Sequence, residues 1–289
     1  MKDLSADVVQ TLFRFLRFPC ETGIFAMGTP TPESPVLVTC NFDYTVRHLK
    51  KYLIDKDINC YLLVVNTNGT NVWCAAAEGI FPTEKVLSHL KPYEVQELVN
   101  HKRLILPQLA AAGIKRKVLS EHGWEGRFGP VYFKYLDDFM KGGLEAPTKT
   151  MKMLEYGYWE RFKMGVSHGM FCTFVCGIPI LIFAFHWWWI GILLVWYFAL
   201  CMQLIEHFIP VHRLVYKGLI LVVPLLALLL FYLPANDQYL RSAMGVLALA
   251  TYIGFDSQGH SHLGQSQRSG RITLTLLATY AIIYVGTFL

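Results

Sequence analysis

Charged residues are scarce in this sequence, at 16% of the chain, whereas hydrophobic residues make up 54%. With a mean hydropathy of +0.36, the balance is too apolar for an ordinary soluble protein and predicts membrane spans. The scarcity is uneven, because charges are frequent up to about Gly165 and sparse beyond it. A net charge of +5 is explained by basic residues flanking spans, so we expect no nucleic-acid partner.

The cysteines lack both a CxxC pair and the spacing of a zinc site. This arrangement of seven cysteines indicates reduced thiols and a cytoplasmic location for the charge-rich part. An iron–sulfur motif is also missing, so electrons would have to come from another protein. The N-terminus has charges and no long apolar run, so we expect no cleaved signal peptide.

The C-terminal half contains five apolar segments, most of them near the roughly 20 residues that a membrane span needs. They cover about 166–185, 188–206, 214–233, 241–255 and 272–289. The basic residues of the connections lie in two loops, with Arg213 and Lys217 in one and Arg268 and Arg271 in the other. Basic loops favour the cytoplasm. We therefore predict a multi-pass protein of the cell (inner) membrane, with a cytoplasmic N-terminal domain and the C-terminus outside.

The N-terminal half alternates short apolar runs with helical patterns, which predicts a Rossmann-like α/β domain. The predicted strands are Val36–Thr39, Cys60–Val65, Leu104–Leu106 and Val131–Lys134, and the predicted helices include Thr45–Ile54 and one from an N-cap at Thr83 through Leu90. We predict an amphipathic segment and linker at 1–33, the α/β domain at 34–145, an interfacial hinge at 146–165 and a transmembrane bundle of five spans at 166–289.

The turn after Cys60–Val65 has an unusual composition. Asn66, Asn68 and Gly69 are followed by a predicted helix start in which Cys74 precedes three alanines. A helix N-terminus favours a thiolate, which is a good ligand for a soft metal. The alanines would let a large flat molecule lie against the helix. Nucleotide phosphates need glycines and a cation, so a macrocycle with a soft metal fits better. Taken alone, a cysteine at a helix start is more often a packed residue or a redox thiol.

This turn resembles the signature of the mercury-methylating corrinoid protein family, a membrane-anchored relative of the corrinoid iron–sulfur protein of acetyl-CoA synthesis. The family carries Asn-Val-Trp-Cys-Ala-Ala-Gly-Lys-Gly, and Asn71–Ala76 and Gly79 match it. The flanking blocks Ser34–Thr39, Arg103–Leu109 and Phe128–Val131 are similar to those of the family. The resemblance covers most of residues 34–145.

The resemblance implies a corrinoid cofactor (cobalamin or a related cobamide) with Cys74 as catalytic residue and axial cobalt ligand. Its binding residues would be Asn71, Val72, Trp73, Cys74, Ala75, Ala76, Ala77, Glu78, Pro107 and Gln108. The implied activity is a membrane-anchored methyltransferase that transfers a cobalt-bound methyl group to a soft metal acceptor such as Hg(II). A thiolate donor to cobalt would favour departure of that methyl group as a carbanion equivalent. The implied partners are a ferredoxin-like iron–sulfur protein, a methyl-folate-dependent methyl donor pathway and membrane lipid.

Two residues depart from the signature, because Ala77 replaces a glycine of the family and Glu78 replaces a lysine. These departures favour an alternative function, a corrinoid-binding or structural subunit of a larger membrane complex without mercury chemistry. A third hypothesis is a soft-metal transporter with sulfur ligands in the apolar half, at Cys172, Cys176, Cys201 and Met202. For Cys172 and Cys176, the sequence favours the interpretation as small packing residues over that as ligands.

The polar loop 256–267 follows a short apolar segment, and family members have a Ser/Thr-rich run at the matching place. His260 and His262 could form a substrate loop at the cytoplasmic mouth of the bundle. The alternative is a solvated connector, since two histidines without a third ligand make a poor metal site.

Overall fold

The computed structural model describes residues 2–143, 146–183, 188–232, 237–257 and 267–286. The chain divides into two compact units, one formed by Met1–Gln10 and Leu16–Glu155 and the other by Thr11–Phe15 and Tyr156–Leu289. The first unit is mixed α/β and the second is helical. The finer domain bounds given above stay predictions.

The first unit contains a five-stranded sheet formed by β1 (Gly23–Met27), β2 (Val36–Cys40), β3 (Cys60–Val65), β4 (Arg103–Leu106) and β5 (Glu125–Phe128). Its order is β1-β3-β2-β4-β5, in which β1 is antiparallel to β3 and the other neighbours are parallel. The chain therefore reverses its direction of winding at β2. Polar loops follow the carboxyl ends of β2, β3 and β4. They meet at the C-terminal edge of the sheet beside β2, which is where open α/β sheets bind their ligands.

Eight helices accompany the sheet in the described residues of the first unit. They are α1 (Lys2–Leu12), α2 (Asp43–Asp55), α3 (Val72–Ala77), α4 (Thr83–Leu90), α5 (Val95–Leu98), α6 (Arg116–Glu121), α7 (Leu136–Lys141) and α8 (Lys149–Lys152), with 3-10 turns at Gln108–Ala110 and Phe133–Tyr135. Residues of α3 to α6 contribute to the core on one face of the sheet, and residues of α2 and α7 to the core on the other. Strand β2 is buried throughout because both of its faces are covered.

Three sequence predictions in this unit are wrong in detail. Val131–Lys134 does not form a strand; its last residues enter the 3-10 turn Phe133–Tyr135, and the final described strand is Glu125–Phe128. Pro130 follows that strand and has no N–H for a ladder hydrogen bond, so pairing stops there. The edge strand Gly23–Met27 lies in the segment interpreted as helix and linker. Pro82, rather than Thr83, occupies the N-cap position of α4.

The second unit is built from the long helices α9 (Tyr158–Phe183), α10 (Trp188–Leu204), α11 (Leu214–Tyr232), α12 (Asp237–Asp256) and α13 (Gln267–Gly286). Helix α9 packs on α10, and α11 packs on α12. The backbones of α11 and α12 come very close: a Cβ at Gly218 would lie 2.6 Å from the carbonyl oxygen of Ala250, and one at Gly254 would lie 2.9 Å from that of Leu214. Small residues thus permit the tight crossing.

The prediction of a five-span bundle is wrong. Among the described residues one helix, Tyr158–Ile182, is long and apolar enough to cross a membrane by length and composition. The apolar helices Trp188–Leu204, Leu214–Leu228 and Thr273–Ile283 are shorter. Helix α12 begins and ends with aspartate and buries one face, including Val246, Ala250 and Ile253.

Candidate functional site

The cysteine turn folds as a strand, a polar loop and a short capped helix. Strand β3 ends at Val65, and α3 begins at Val72 with Asn71 as its N-cap. The Asn71 Oδ1 atom accepts a hydrogen bond from the backbone N–H of Cys74 at 3.0 Å, which satisfies one free donor of the first helical turn. Its Nδ2 atom donates to Cys74 Sγ at 3.3 Å. One amide side chain thus holds both the backbone and the sulfur of Cys74.

Small side chains surround the sulfur. Cys74 is exposed, Ala75 and Ala76 are buried in the sheet-facing side of α3, and Ala77 is exposed. Val72 is buried, whereas Asn71 and Trp73 are half-buried. Glu78 is exposed at the C-cap, one turn after Cys74, and its N–H donates to the Cys74 carbonyl at 2.9 Å. The approach to the sulfur is therefore open, and no lysine or arginine occurs between residues 66 and 79.

A buried asparagine fixes the loop in front of α3. The side-chain oxygen of Asn41 accepts hydrogen bonds from the N–H groups of Thr67 and Gly69, at 2.8 and 3.0 Å. Its amide nitrogen donates to the carbonyl of Cys20 at 3.2 Å. Asn41 is only 3% exposed, so these bonds replace water and tie the loop after β3 to the end of β2.

The opposite side of this loop is held by a histidine and a close backbone contact. Burial lowers the pKa of His89, and its Nε2 accepts a hydrogen bond from the N–H of Asn66 at 3.1 Å. Gly69 has φ +73°, and a Cβ there would lie 2.3 Å from the backbone nitrogen of Pro19. Glycine is required at this position by both its conformation and its space.

The loop after β4, which contains Pro107 and Gln108, lies beside α3. The 3-10 turn Gln108–Ala110 contacts α3, and a Cβ at Gly113 would come within 3.3 Å of the Cα of Ala76. Pro107 and Gln108 are both half-buried. The side-chain oxygen of Gln108 is buried without a hydrogen-bond partner among the described residues. The structure thus brings Gln108 and the Cys74 helix to one edge of the sheet.

His260 and His262 lie outside the described residues, so the substrate loop stays a prediction.

A groove of about 880 Å³ lies against β5 and α6, and its lining includes Lys102, Arg116, Lys117 and Arg127. None of its lining residues belongs to the Cys74 turn, and its basic side chains contrast with that turn, which has no lysine or arginine.

Sequence reasoning named Asn71 as a binding residue but missed its role as a helix cap, and it missed Asn41. Asn71 stands three residues before Cys74, the spacing of an N-cap side chain and the N–H that it binds, so this signal was present. Asn41 directly follows the mostly apolar strand Val36–Cys40, and a polar residue at a strand end also marks such an edge. Their partners in the fold cannot be read from the chain, because the contacts of Asn41 span 26 and 28 residues.

Comparisons with known proteins match the N-terminal part of the chain. A family model of the CO dehydrogenase/acetyl-CoA synthase delta subunit matches residues 9–139. The acetyl-CoA decarbonylase/synthase complex subunit gamma of Methanopyrus kandleri is 35% identical over 121 residues, which are 42% of this chain and 26% of that protein. The corrinoid/iron-sulfur protein large subunit of Moorella thermoacetica is 36% identical over 104 residues, which are 36% of this chain and 23% of that protein.

This chain spans about a quarter of the length of these relatives. The match includes β2, β3, α3 and the loop after β4, and so the whole edge of the sheet that contains Cys74. The match supports the corrinoid part of the sequence interpretation, and it does not support mercury methylation. The N-terminal α/β domain is thus related to proteins of a corrinoid-protein family.

Proposed function

We propose that the α/β domain binds a corrinoid over the start of α3 and that the protein takes part in corrinoid-dependent methyl transfer. The observation that carries this proposal is the exposed Cys74 thiol, which Asn71 holds in an alanine-lined turn beside Gln108. The relationship to corrinoid proteins supports it.

The residues present fit such a group. The corrin ring carries amide arms whose N–H groups need acceptors, and the buried oxygen of Gln108 lacks a partner among the described residues. The alanines after Cys74 leave room for a flat ring, and the turn has no cation that would require an anionic ligand. These features favour a neutral macrocycle over a nucleotide.

The chain's own residues would hold and tune the group. A bound corrinoid supplies a cobalt atom that carries the methyl group. Cys74 would provide a sulfur ligand to that metal, and the Asn71 amide would orient the sulfur and stabilise its thiolate by donating a hydrogen bond. Gln108 would accept a hydrogen bond from an amide arm. Asn41 and His89 would act as positioning residues, because they fix the loop and not the ligand.

The finer parts of the proposal rest on the signature Asn71–Ala76. They are a soft metal such as Hg(II) as methyl acceptor, a methyl-folate-dependent donor pathway and a ferredoxin-like electron donor. The chain has no CxxC motif for an iron–sulfur cluster of its own, which supports the need for a separate donor.

A second candidate function is that of a corrinoid-binding subunit in a larger complex. The names of the relatives favour it, because several are subunits of the acetyl-CoA decarbonylase/synthase complex. Such a subunit would bind the cofactor and protein partners without transferring methyl groups to mercury.

Membrane location, with membrane lipid as a partner, is a separate proposal that rests on the one candidate span among the described residues, Tyr158–Ile182. Trp159, at the start of α9, is 67% exposed, as an interfacial anchor would be. We propose attachment to the cell membrane with the α/β domain in the cytoplasm. Recovery of the full chain in the supernatant after cell lysis at low salt would overturn attachment, and carbonate-resistant pelleting would support it.

The test of the main proposal compares full-length wild type with Cys74→Ala. Each is incubated with hydroxocobalamin, and binding and the visible spectrum are measured after gel filtration. We expect the wild type to bind with a shifted spectrum, and Cys74→Ala to lose that shift and bind at least about tenfold more weakly, because a metal ligand is gone. Cys20→Ala is the matched control, since Cys20 is half-buried and its structural bonds are made by its backbone.

Equal binding and identical spectra for wild type and Cys74→Ala would overturn the role of Cys74. Incubation of the methylated wild type with Hg(II) then separates the candidates. Methylmercury formation would support the methyltransferase, whereas binding without methyl transfer would support the subunit.

A further inference from the structure

The helical unit contains a cluster of three potential metal ligands that is separate from the Cys74 site. His168 and Cys172 lie one turn apart on α9, and Asp256 is the last residue of α12. The imidazole nitrogen, the sulfur and the carboxylate oxygen all lie within 4.8 Å of one another. The side chain of His168 is fully buried, that of Asp256 is 17% exposed, and Cys172 is fully buried.

His168 has a neighbouring oxygen at each of its ring nitrogens. Ser257 Oγ donates to the carbonyl of Ile253 at 2.7 Å, so its oxygen can act as an acceptor. It lies 3.4 Å from His168 Nδ1 and would accept the ring N–H in the tautomer that carries the proton on Nδ1. The lone pair is then on Nε2. A ligating histidine typically has this arrangement, because a hydrogen bond from its other nitrogen orients the ring.

The contact on the other side of the ring is with a carboxylate. His168 Nε2 lies 2.9 Å from Asp256 Oδ2. With the proton on Nε2 this contact is a hydrogen bond, and with the lone pair on Nε2 both atoms are acceptors that a metal ion would join. A metal ion would also engage Cys172, whose sulfur belongs to the same cluster.

The charges and distances suit zinc. A thiolate and a carboxylate together carry two negative charges, which a divalent cation neutralises in a site that is packed among apolar residues such as Ala250 and Ile253. Zinc binds nitrogen, sulfur and oxygen ligands at about 2.0–2.3 Å. Four-coordinate geometry then needs ligand atoms about 3–4 Å apart, which small side-chain rotations would reach from the observed separations.

We propose that His168, Cys172 and Asp256 form a buried zinc site in the helical unit, with a fourth position for water or a small ligand. The site joins the middle of α9 to the end of α12, so zinc would clamp these two helices. This proposal does not depend on corrinoid binding, because its residues belong to another unit of the chain.

The test uses the full-length chain and the metal alone. Zinc is counted per chain by mass spectrometry after purification with added Zn²⁺ and removal of the excess. We expect one zinc in the wild type and in Cys201→Ser, a half-buried thiol outside the cluster. Cys172→Ser and Asp256→Asn should bind zinc far more weakly. Ser257→Ala should bind roughly 10–100-fold more weakly, because it removes the partner that orients His168.

Cobalt substitution provides a readout that needs no variant. Co²⁺ in the wild type should give tetrahedral d–d bands and a sulfur-to-cobalt charge-transfer band, because Cys172 would be a ligand. Wild type that binds neither metal would overturn the proposal and leave a hydrogen-bonded His168–Asp256 pair. A bound Co²⁺ without the charge-transfer band, or unchanged zinc affinity in a folded Cys172→Ser, would overturn it equally.

Discussion

The two units of the chain satisfy their buried polar side chains in different ways. In the α/β unit, Asn41 bonds to the backbone of two loops. In the helical unit, charged side chains bond to one another as well as to backbone: the half-buried Glu206 pairs with the half-buried Arg161 at 3.0 Å and with the buried Lys217 at 2.7 Å. The difference follows from the backbone, because helices satisfy their own N–H and C=O groups and loops do not.

The same contrast separates what each unit can do. Buried polar groups that bind loop backbone fix the position of an exposed residue, here Cys74. Buried polar groups that bind one another hold helices together and leave potential ligands inside the bundle, as at His168. Changes in loop backbone should therefore damage the Cys74 site most, and changes in charge should damage the helical unit most.

The largest effect is expected from Gly69→Ala. The new Cβ would lie 2.3 Å from the Pro19 nitrogen at φ +73°, so the loop before α3 has to shift. We expect a loss of about 4 kcal/mol or more in the free energy of unfolding of the α/β unit, as measured by hydrogen exchange in β2 and β3.

Gly79→Ala is the matched control for that prediction. Gly79 has nearly the same φ, +72°, but a Cβ there meets nothing within 4 Å. Gly79→Ala should lower the free energy of unfolding by only about 1–2 kcal/mol, because alanine is placed in a left-handed backbone conformation without a steric clash. Equal losses of unfolding free energy for both variants would show that the close contact of Gly69 with Pro19 is unimportant.

The next effect is expected from Lys217→Met in the helical unit. Lys217 is 7% exposed and bonds both the side chain and the carbonyl of Glu206. Since Arg161 remains as a partner, we expect a loss of about 2 kcal/mol, below the roughly 3–5 kcal/mol for a buried ion without any partner. Hydrogen exchange in α10 and α11 measures this loss of unfolding free energy. The exposed pair of Lys141 with Asp137 provides the control, and Lys141→Met should change little.

The pH dependence of the same unit sharpens this prediction. Burial would raise the pKa of Glu206, but hydrogen bonds from Lys217 and Arg161 outweigh it and lower the pKa below its ordinary value of 4.5. The stabilisation that ionised Glu206 gives to the folded helical unit is therefore complete above pH 4.5, and it is lost as the pH falls through the folded-state pKa of Glu206. Lys217→Met should reduce this acid sensitivity, and an unchanged pH profile would contradict the assignment.

A smaller effect is expected from Asn71→Ala, which removes the cap of α3. The loss should be about 1 kcal/mol, visible as faster hydrogen exchange in α3. Asn71→Asp keeps the acceptor for the Cys74 N–H but replaces the donor to Sγ with a carboxylate. It should therefore keep the stability and weaken corrinoid binding. Equal corrinoid binding by Asn71→Asp and wild type would exclude a role for the Nδ2 donor.

The smallest effect is expected from Glu78→Lys. Glu78 is exposed, and a lysine one turn after Cys74 would favour the thiolate by about 0.3–1 kcal/mol. Corrinoid binding should survive in both forms, and methyl transfer to Hg(II) should increase modestly, more so with Ala77→Gly. Strong methylmercury formation by wild type would show that Glu78 does not limit the reaction.

Apolar patterns predicted the α/β unit because its strands and helices are set by local sequence. Val36–Cys40 and Cys60–Val65 are buried on both faces and bounded by polar turn residues, so their positions were clear. The strand Gly23–Met27 was missed because it lies at the sheet edge with only its end residues buried, which weakens its pattern.

The helical unit was predicted less well, because apolar runs do not distinguish lipid from neighbouring helices. Helix α12 shows the difficulty, since Val246 and Ala250 face the bundle and its ends are charged. Asp256 was assigned to a polar loop, and its contact with His168 spans 88 residues. Such a cluster is visible only after folding.

The Asn41 carboxamide has a consequence for ligand exchange. It joins the loop before α3 to the end of β2 and to the backbone of Cys20. The same loop is also held by the N–H of Phe18, which donates to the carbonyl of Gly69 at 3.1 Å. The entropy of ordering this loop is thus lost during folding and not on ligand binding, which makes the Cys74 surface preorganised. A ligand that enters or leaves over Cys74 therefore meets a surface whose backbone is already ordered.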